Sequence, residues 1–271
     1  SKAFAKAFMT RHRVPTAGYR VCETPQAALA VLATGEFGYP VVIKADGLAA
    51  GKGVIIAGDP LSASRAVAAM MVDRRFGEAG ARIVIEECLQ GPEVSVFALT
   101  DGRSAILLPT AQDHKRALDG YEVPNTGGMG AFAPSPLVDD TLLEHIRDTI
   151  ILPTIEGLRA EGREFRGFLY AGLMLTPDGP KVVEFNVRLG DPEAQVVLPM
   201  IDGQLAPLLR DAAAGRLGQA SCPAREWPRV GVVLASAGYP EAYETGKPIS
   251  GLAFAASVPG VLLFHAGTSK R

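Results

Sequence analysis

The feature that most restricts the fold is the segment Asp46-Gly-Leu-Ala-Ala-Gly-Lys-Gly53, set between two short apolar runs, Pro40-Val-Val-Ile-Lys-Ala45 and Val54-Ile-Ile-Ala57. A glycine-rich turn between two short strands folds as a hairpin-like flap. The same segment excludes a P-loop, which needs four residues between its glycines, Ser or Thr after the lysine and a helix beyond. Here three residues separate Gly47 from Gly51, Gly53 follows Lys52, and a strand comes next. Such a flap can still drape over a polyphosphate, because glycine lacks a Cβ and leaves its N–H accessible. The plainer reading is a hairpin with no ligand. Lys44 lies between Ile43 and Ala45, so its ammonium should point into a polar site, with phosphate as a natural partner. An exposed edge-strand lysine is the competing reading.

The rest of the chain reads as mixed α and β. Apolar periodicity predicts helices over 2–12, 25–34, 61–76, 139–161 and 202–216, and strands over 82–87, 93–99, 104–108, 168–175 and 181–186, with a β-rich segment from 229. Pro15 ends the first helix and Pro153 should kink or break the fourth. Residues 109–136 read as a long polar loop rich in Gly and Pro, of the kind that carries function. With 271 residues, 48% apolar and 21% charged, the chain can build one large or two modest domains. A net charge of −2 without a basic run gives no footprint for nucleic acid. No apolar stretch reaches membrane-spanning length and the N-terminus lacks a signal-peptide core. Cys22, Cys88 and Cys222 are scattered, so neither a disulfide framework nor a zinc site is expected, and a reducing cytoplasm is. A small molecule is the expected partner. The chain starts without Met, inside an amphipathic helix with Phe4 and Phe8 one turn apart, which gives the expectation that a segment precedes it.

Further motifs carry chemistry. In Glu184-Phe-Asn186, residues two apart on a strand face the same way. A carboxylate and an amide oxygen then suit Mg2+, which takes one or two protein oxygens and completes its shell with water and phosphates. Arg188 continues the parity and could neutralise a phosphoryl group, and Gly190-Asp191-Pro192-Glu193 turns the chain. Glu86, Glu87 and Leu89, followed by Glu93, suggest a connector that frames adenine and holds ribose, against ordinary surface acids at a strand end. Asp113, His114 and Lys115, with Asn125, Gly127 and Gly128, suggest a polar pocket with backbone donors.

Together these segments, in the order Ser1-Lys2-x-Phe4, Val42 to Val54, Ile85-Glu-Glu, Gln112-Asp-His-Lys-Arg, Pro124 to Ala131, Gly167 to Met174 and Glu184 to Glu193, closely resemble the phosphoribosylamine–glycine ligase family (glycinamide ribonucleotide synthetases) of the ATP-grasp superfamily. The resemblance implies an α+β fold: a two-lobed ATP-grasp domain, with a small α+β lid lobe and a larger antiparallel-sheet lobe, plus a partial C-terminal β-rich domain. Its parts would be a leading helix segment over 1–20, a lid over 21–91, a central subdomain with the metal site over 92–222 and the partial β-domain over 223–271. It implies that ATP phosphorylates glycine to glycyl phosphate, and that the amine of 5-phosphoribosylamine then displaces phosphate, in purine biosynthesis. By resemblance, Lys2 and Lys44 bind ATP phosphates under a loop containing Gly47, Gly51, Lys52 and Gly53. Glu86, Glu87 and Leu89 frame adenine and Glu93 holds ribose. Glu184 and Asn186 hold Mg2+, with Mn2+ as an alternative, and Arg188 stabilises the migrating phosphoryl group. Asp113, His114, Lys115, Asn125, Gly127, Gly128, Asp191, Pro192 and Glu193 face glycine and the ribosyl phosphate. Two departures stand out. Many ATP-grasp enzymes carry an acid where Gly172 falls, and the family has a doubly wound domain ahead of the point where this chain starts, which would complete the site. The competing readings are an ATP·Mg-binding fragment without turnover and an ATP-grasp ligase for another carboxylate and amine.

Overall fold

The computed structural model describes residues 1–47, 49, 53–116, 125–218, 220–225, 227–240 and 242–270, without the side chains of Lys115, Arg116 and Asn125. A helix, α1 (Lys2–Arg11), leads into a first lobe built on an antiparallel sheet. Its strands β1 (Tyr19–Cys22), β2 (Val41–Ala45), β3 (Val54–Ala57) and β4 (Ile83–Glu87) lie in the order β1-β4-β2-β3. β2 and β3 pair as the hairpin their spacing predicts, with Lys44 opposite Val54. Between β1 and β2 in sequence runs α2 (Pro25–Thr34), started by the Thr24 hydroxyl, which accepts from Ala27 N–H, and stopped by Gly35 in the left-handed conformation. Then α3 (Pro60–Val67) opens on a capping box of Asp59 and Ser62 and continues through a π-helical turn to Val72. Ala28, Ile43, Val67, Met70, Ile83 and Ile85 form the core between sheet and helices. The sequence reading missed β1, whose four residues are too few to show an alternation.

The second lobe has two sheets. In chain order its strands are β5 (Glu93–Thr100), β6 (Ala105–Leu107), β7 (Gln112–Arg116), β8 (Asn125–Ala133), β9 (Gly167–Thr176) and β10 (Gly179–Asn186). The larger sheet has the order β10-β9-β5-β6. One face packs on α4 (Asp140–Ile146), a π-helical turn over 147–151, and α5 (Leu152–Ala160). This helical rod does not break at Pro153. The proline falls in the first turn of α5, beside the π-helical turn, where a missing N–H disturbs little. Phe8 and Met9 of α1 join the same core with Val96, Leu173, Ile150 and Ile151, which fixes α1 between the lobes.

Residues 109–136 are not one long loop. β7 and β8 pair in a second antiparallel sheet, with β11 (Arg229–Val232) on the far side of β8. Gly130 of β8 answers to close backbone approach rather than to a loop: a Cβ on it would lie 2.8 Å from the Gly231 carbonyl oxygen. This sheet and α6 (Glu193–Val197) cover part of the other face of the large sheet, where Phe97, Leu108, Ala131, Tyr170 and Val197 meet. The Phe97 and Tyr170 rings stack at 5.0 Å. α7 (Leu205–Ala213) and a short α8 (Leu252–Ser257) follow. No described helix is long and apolar enough to cross a membrane.

Candidate functional site

The uncovered part of that second face carries the chemistry. Strand register sets side chains across the whole of that face in rows: Asn186, Tyr170 and Phe97; then Glu184, Gly172 and Ser95; then Lys181, Met174 and Glu93, with Phe97, Tyr170 and Ser95 under the covered part and Glu184 exposed. Glu184 reaches this face because β10 contains a bulge. Val182 pairs with Leu173 and Glu184 with Gly172, so Val183 is the extra residue. Under strict alternation Glu184 would share the face of Val182, which is fully buried in the core. The bulge re-phases the strand, and Glu184 and Asn186 project together as predicted. Asn186 Nδ2 donates to Glu184 Oε1 at 3.1 Å, which leaves the amide oxygen to a ligand. Gly172 keeps the middle of its row open, since a Cβ there would lie 3.5 Å from Glu184 Cγ and 3.6 Å from the Tyr170 hydroxyl. No group of three or more His, Cys, Asp or Glu that could hold a metal occurs among the described residues. The donor set is therefore a carboxylate and an amide oxygen, which fits a hard cation completed by phosphate and water.

The lobes meet over this face through lysines. Lys44 points from β2 to the neighbouring lobe, where its Nζ donates to the carbonyl of the bulged Val183 at 3.3 Å. It also pairs with Glu86 Oε2 at 2.9 Å. An ammonium has three N–H donors, so one is uncommitted among the described residues. Lys44 is buried, which excludes the edge-strand reading. Lys2 behaves alike, donating to the carbonyls of Ala45 at 2.7 Å and Gly47 at 3.3 Å. Burial lowers its pKa, and the nearby charge of Glu184 works against that. Asp46 clamps the start of α1 to this loop. Its carboxylate accepts from Ser1 Oγ at 2.8 Å, Ala3 N–H at 2.7 Å and Arg82 Nε at 2.9 Å. Burial would raise the Asp46 pKa, but these hydrogen bonds outweigh it and hold the carboxyl below its ordinary range.

Other predicted residues divide. Gly47 and Gly53 bound the flap, and each is demanded by packing. A Cβ on Gly47 would lie 2.7 Å from Ala79, and one on Gly53 would lie 2.6 Å from Ala49 Cβ. Gly51 and Lys52 lie outside the described residues, as do the side chains of Lys115 and Asn125. Glu86 is not a surface acid at a strand end. It is buried between Lys44 and Lys6. Glu87 accepts from Gly18 N–H at 2.9 Å and lies 3.7 Å from Lys181. Leu89 is half-buried just beyond β4, and Glu93 is exposed at the start of β5. Arg188 departs from the strand-parity reading. β10 ends at Asn186, so strand parity no longer aims the arginine, and its guanidinium donates to the Leu189 carbonyl at 2.9 Å.

Of the predicted substrate residues, Gly128 meets the turn at 190–193. Gly128 packs on the turn at 190–193, because a Cβ there would lie 2.5 Å from Pro192 Cδ and 2.8 Å from the Asp191 carbonyl oxygen. Its φ of +130° favours glycine as well. Asp113 is half-buried and opposite Ala131, His114 is exposed with its ring 5.7 Å from Phe132, and Gly127 is exposed beside Gly128. Asp191 is exposed, while Glu193 is the buried first residue of α6 and accepts from Ser95 Oγ at 3.3 Å. We expect Gly128→Ala to cost about 2–4 kcal/mol in urea unfolding, from backbone strain and overpacking against the turn. An unchanged midpoint and slope would show that strand and turn are not in contact. Sequence reasoning missed Lys6, Asp46 and the bulge. Lys6 sits at helical spacing from Lys2 on α1 and offered a signal; a bulge offers none.

A family model described as "Phosphoribosylglycinamide synthetase, ATP-grasp (A) domain" matches residues 1–194, and one described as "Phosphoribosylglycinamide synthetase, C domain" matches residues 229–271. The chain is 52% identical to a phosphoribosylamine–glycine ligase of Caulobacter vibrioides, over all of this chain and 62% of that one. It is 47% identical to a trifunctional purine biosynthetic protein adenosine-3 of Gallus gallus, over 99% of this chain and 27% of that one. Its fold is similar to the crystal structure of the phosphoribosylamine–glycine ligase of Thermotoga maritima, with a TM-score of 0.82 and 37% identity, covering 90% of this chain and 61% of that one. A biotin carboxylase domain of Hydrogenobacter thermophilus shares the fold at a TM-score of 0.66 and 18% identity, covering 84% of this chain and 49% of that one. The chain thus spans about 62% of the length of curated ligases that it matches.

Proposed function

The chain belongs to the phosphoribosylglycinamide synthetase family, with the ATP-grasp fold, and from that premise we propose that it carries the ATP-using part of a ligase that joins glycine to 5-phosphoribosylamine. The observation that carries this reading is the pairing of two half-committed lysines with a carboxylate and amide on the facing sheet. Lys2 and Lys44 each have a third donor uncommitted among the described residues, and Glu184 and Asn186 lie on one face of β10. Mg2+ held by Glu184 and Asn186 would neutralise phosphate oxygens of the nucleotide.

The chain's own residues position and neutralise rather than attack. Transfer of the γ-phosphoryl group to the glycine carboxylate moves negative charge onto the leaving ADP, and fixed ammonium groups meet that charge without reorganising. The phosphoribosylamine nitrogen then attacks the acyl carbon, phosphate leaves, and the amine proton passes to solvent or phosphate. No protein nucleophile is required. The 126–130 stretch of β8 and the turn at 190–193, which touch at Gly128, form the expected floor for glycine and ribosyl phosphate. We read ADP release as the test. It should require ATP, glycine and phosphoribosylamine together, with glycinamide ribonucleotide as the amide product. ADP release with another acid and amine but not with these would overturn the substrate assignment. Nucleotide binding without any release would leave a binding unit instead of a ligase.

A further inference from the structure

Three lysines converge where the lobes meet, and one of them cannot touch a ligand. Lys6 lies on the inner side of α1 and is buried. Its Nζ sits 2.9 Å from Glu86 Oε2, 2.8 Å from Thr16 Oγ1 and 3.4 Å from the Ala17 carbonyl oxygen. Those contacts use all three of its donors. Lys44 shares the same Glu86 oxygen at 2.9 Å, while Glu86 Oε1 is buried with no hydrogen-bond partner among the described residues. The Thr16 hydroxyl in turn donates to the Val182 carbonyl at 2.7 Å, and Val182 N–H donates to the Pro15 carbonyl at 2.8 Å. Val182 is the residue before the bulge that aims Glu184.

We propose that Lys6 is a positioning residue for phosphate binding: it divides Glu86 between two cations, so that Lys44 keeps net positive charge and an open donor, and through Thr16 it ties that arrangement to the β10 bulge. The charge logic is simple. One carboxylate shared by two ammonium groups leaves the cluster positive. With Lys6 neutral, Glu86 would settle wholly on Lys44 and cancel the charge offered to phosphate. Burial lowers the Lys6 pKa and the Glu86 carboxylate opposes that. This inference rests on the nucleotide reading above and adds to it a residue that touches no substrate.

The experiment compares ATP·Mg2+ and adenosine binding by calorimetry in the wild-type chain, Lys6→Met and Lys6→Arg. Lys6→Met should weaken ATP by about tenfold or more while adenosine binding stays within about twofold, and Lys6→Arg should recover part of the loss. Adenosine lacks phosphates, so a merely structural defect would weaken both ligands together. Equal loss of both, or unchanged ATP affinity in Lys6→Met, overturns the proposal. Should Lys6→Met fail to fold, Thr16→Val is read in its place: it removes one Lys6 partner and the link to Val182 but keeps the ion pairs. Selective loss of ATP affinity in Thr16→Val supports the proposal, and unchanged affinity overturns it. A wild-type chain that binds no nucleotide overturns the functional reading, and this inference with it.

Discussion

Lys44→Met should lower turnover by about 10²–10³-fold, the loss seen when one preorganised donor to developing charge is removed. It should also weaken ATP binding by about 10–100-fold, as expected for a charge-assisted hydrogen bond. The argument starts from burial. A lysine on the central part of an apolar strand is expensive unless its charge is used. Lys44 uses two donors internally, on Glu86 and on the Val183 carbonyl. Both contacts aim the ammonium at the face that carries Glu184 and Asn186. Methionine keeps the length and the apolar stem, so packing around Ile43 and Ala45 is preserved. Glu86 still has Lys6 at 2.9 Å, so no buried charge is stranded. Activity loss should therefore far exceed any stability loss, which thermal unfolding would measure alongside. Unchanged turnover and ATP affinity in folded Lys44→Met would remove Lys44 from the site.

Much of this arrangement was legible from local pattern, and the failures share a cause. The β2–β3 hairpin follows from two β-branched runs flanking a glycine-rich turn, and α2 and α3 follow from apolar residues at helical spacing. The joint projection of Glu184 and Asn186 needs only strand period. What was missed depends on partners distant in sequence. β8 looks like a loop because two of its glycines, Gly130 and Gly128, answer to Gly231 and to Pro192, not to local turn geometry. Glu86 reads as a surface acid because its two lysines come from residues 6 and 44. Arg188 was aimed by extending strand parity two residues past Asn186, where the strand has ended. The Val183 bulge matters most, since it moves Glu184 from the core face to the open face, and no residue type announces it. The resemblance supplied roles for these residues, whereas the structure supplies their partners and burial.

Glu184→Gln separates the two halves of the site, because its effects on metal-dependent and metal-free behaviour have opposite signs. The glutamine keeps the size of the side chain and the contact with Asn186 Nδ2, so β10 should hold its register. It removes a negative charge that lies near enough to Lys2 to raise that lysine's pKa against the effect of burial. In the absence of divalent cations, ATP then meets one fewer repelling charge, and its metal-free affinity should hold or rise. With Mg2+ the sign reverses. A neutral amide is a weaker ligand than a carboxylate for a hard cation, so the Mg2+ concentration for half-maximal turnover should climb by about tenfold or more, and turnover at saturating metal should fall by about 10²-fold. Asn186→Ala should shift the same metal dependence less, because it removes a neutral donor and leaves the carboxylate in place. The decisive measurement is an Mg2+ titration of ADP release for both variants, beside metal-free ATP calorimetry. If Glu184→Gln lowered metal-free and metal-dependent binding equally, the carboxylate would be acting on the fold of β10, and the cation would have to be held elsewhere.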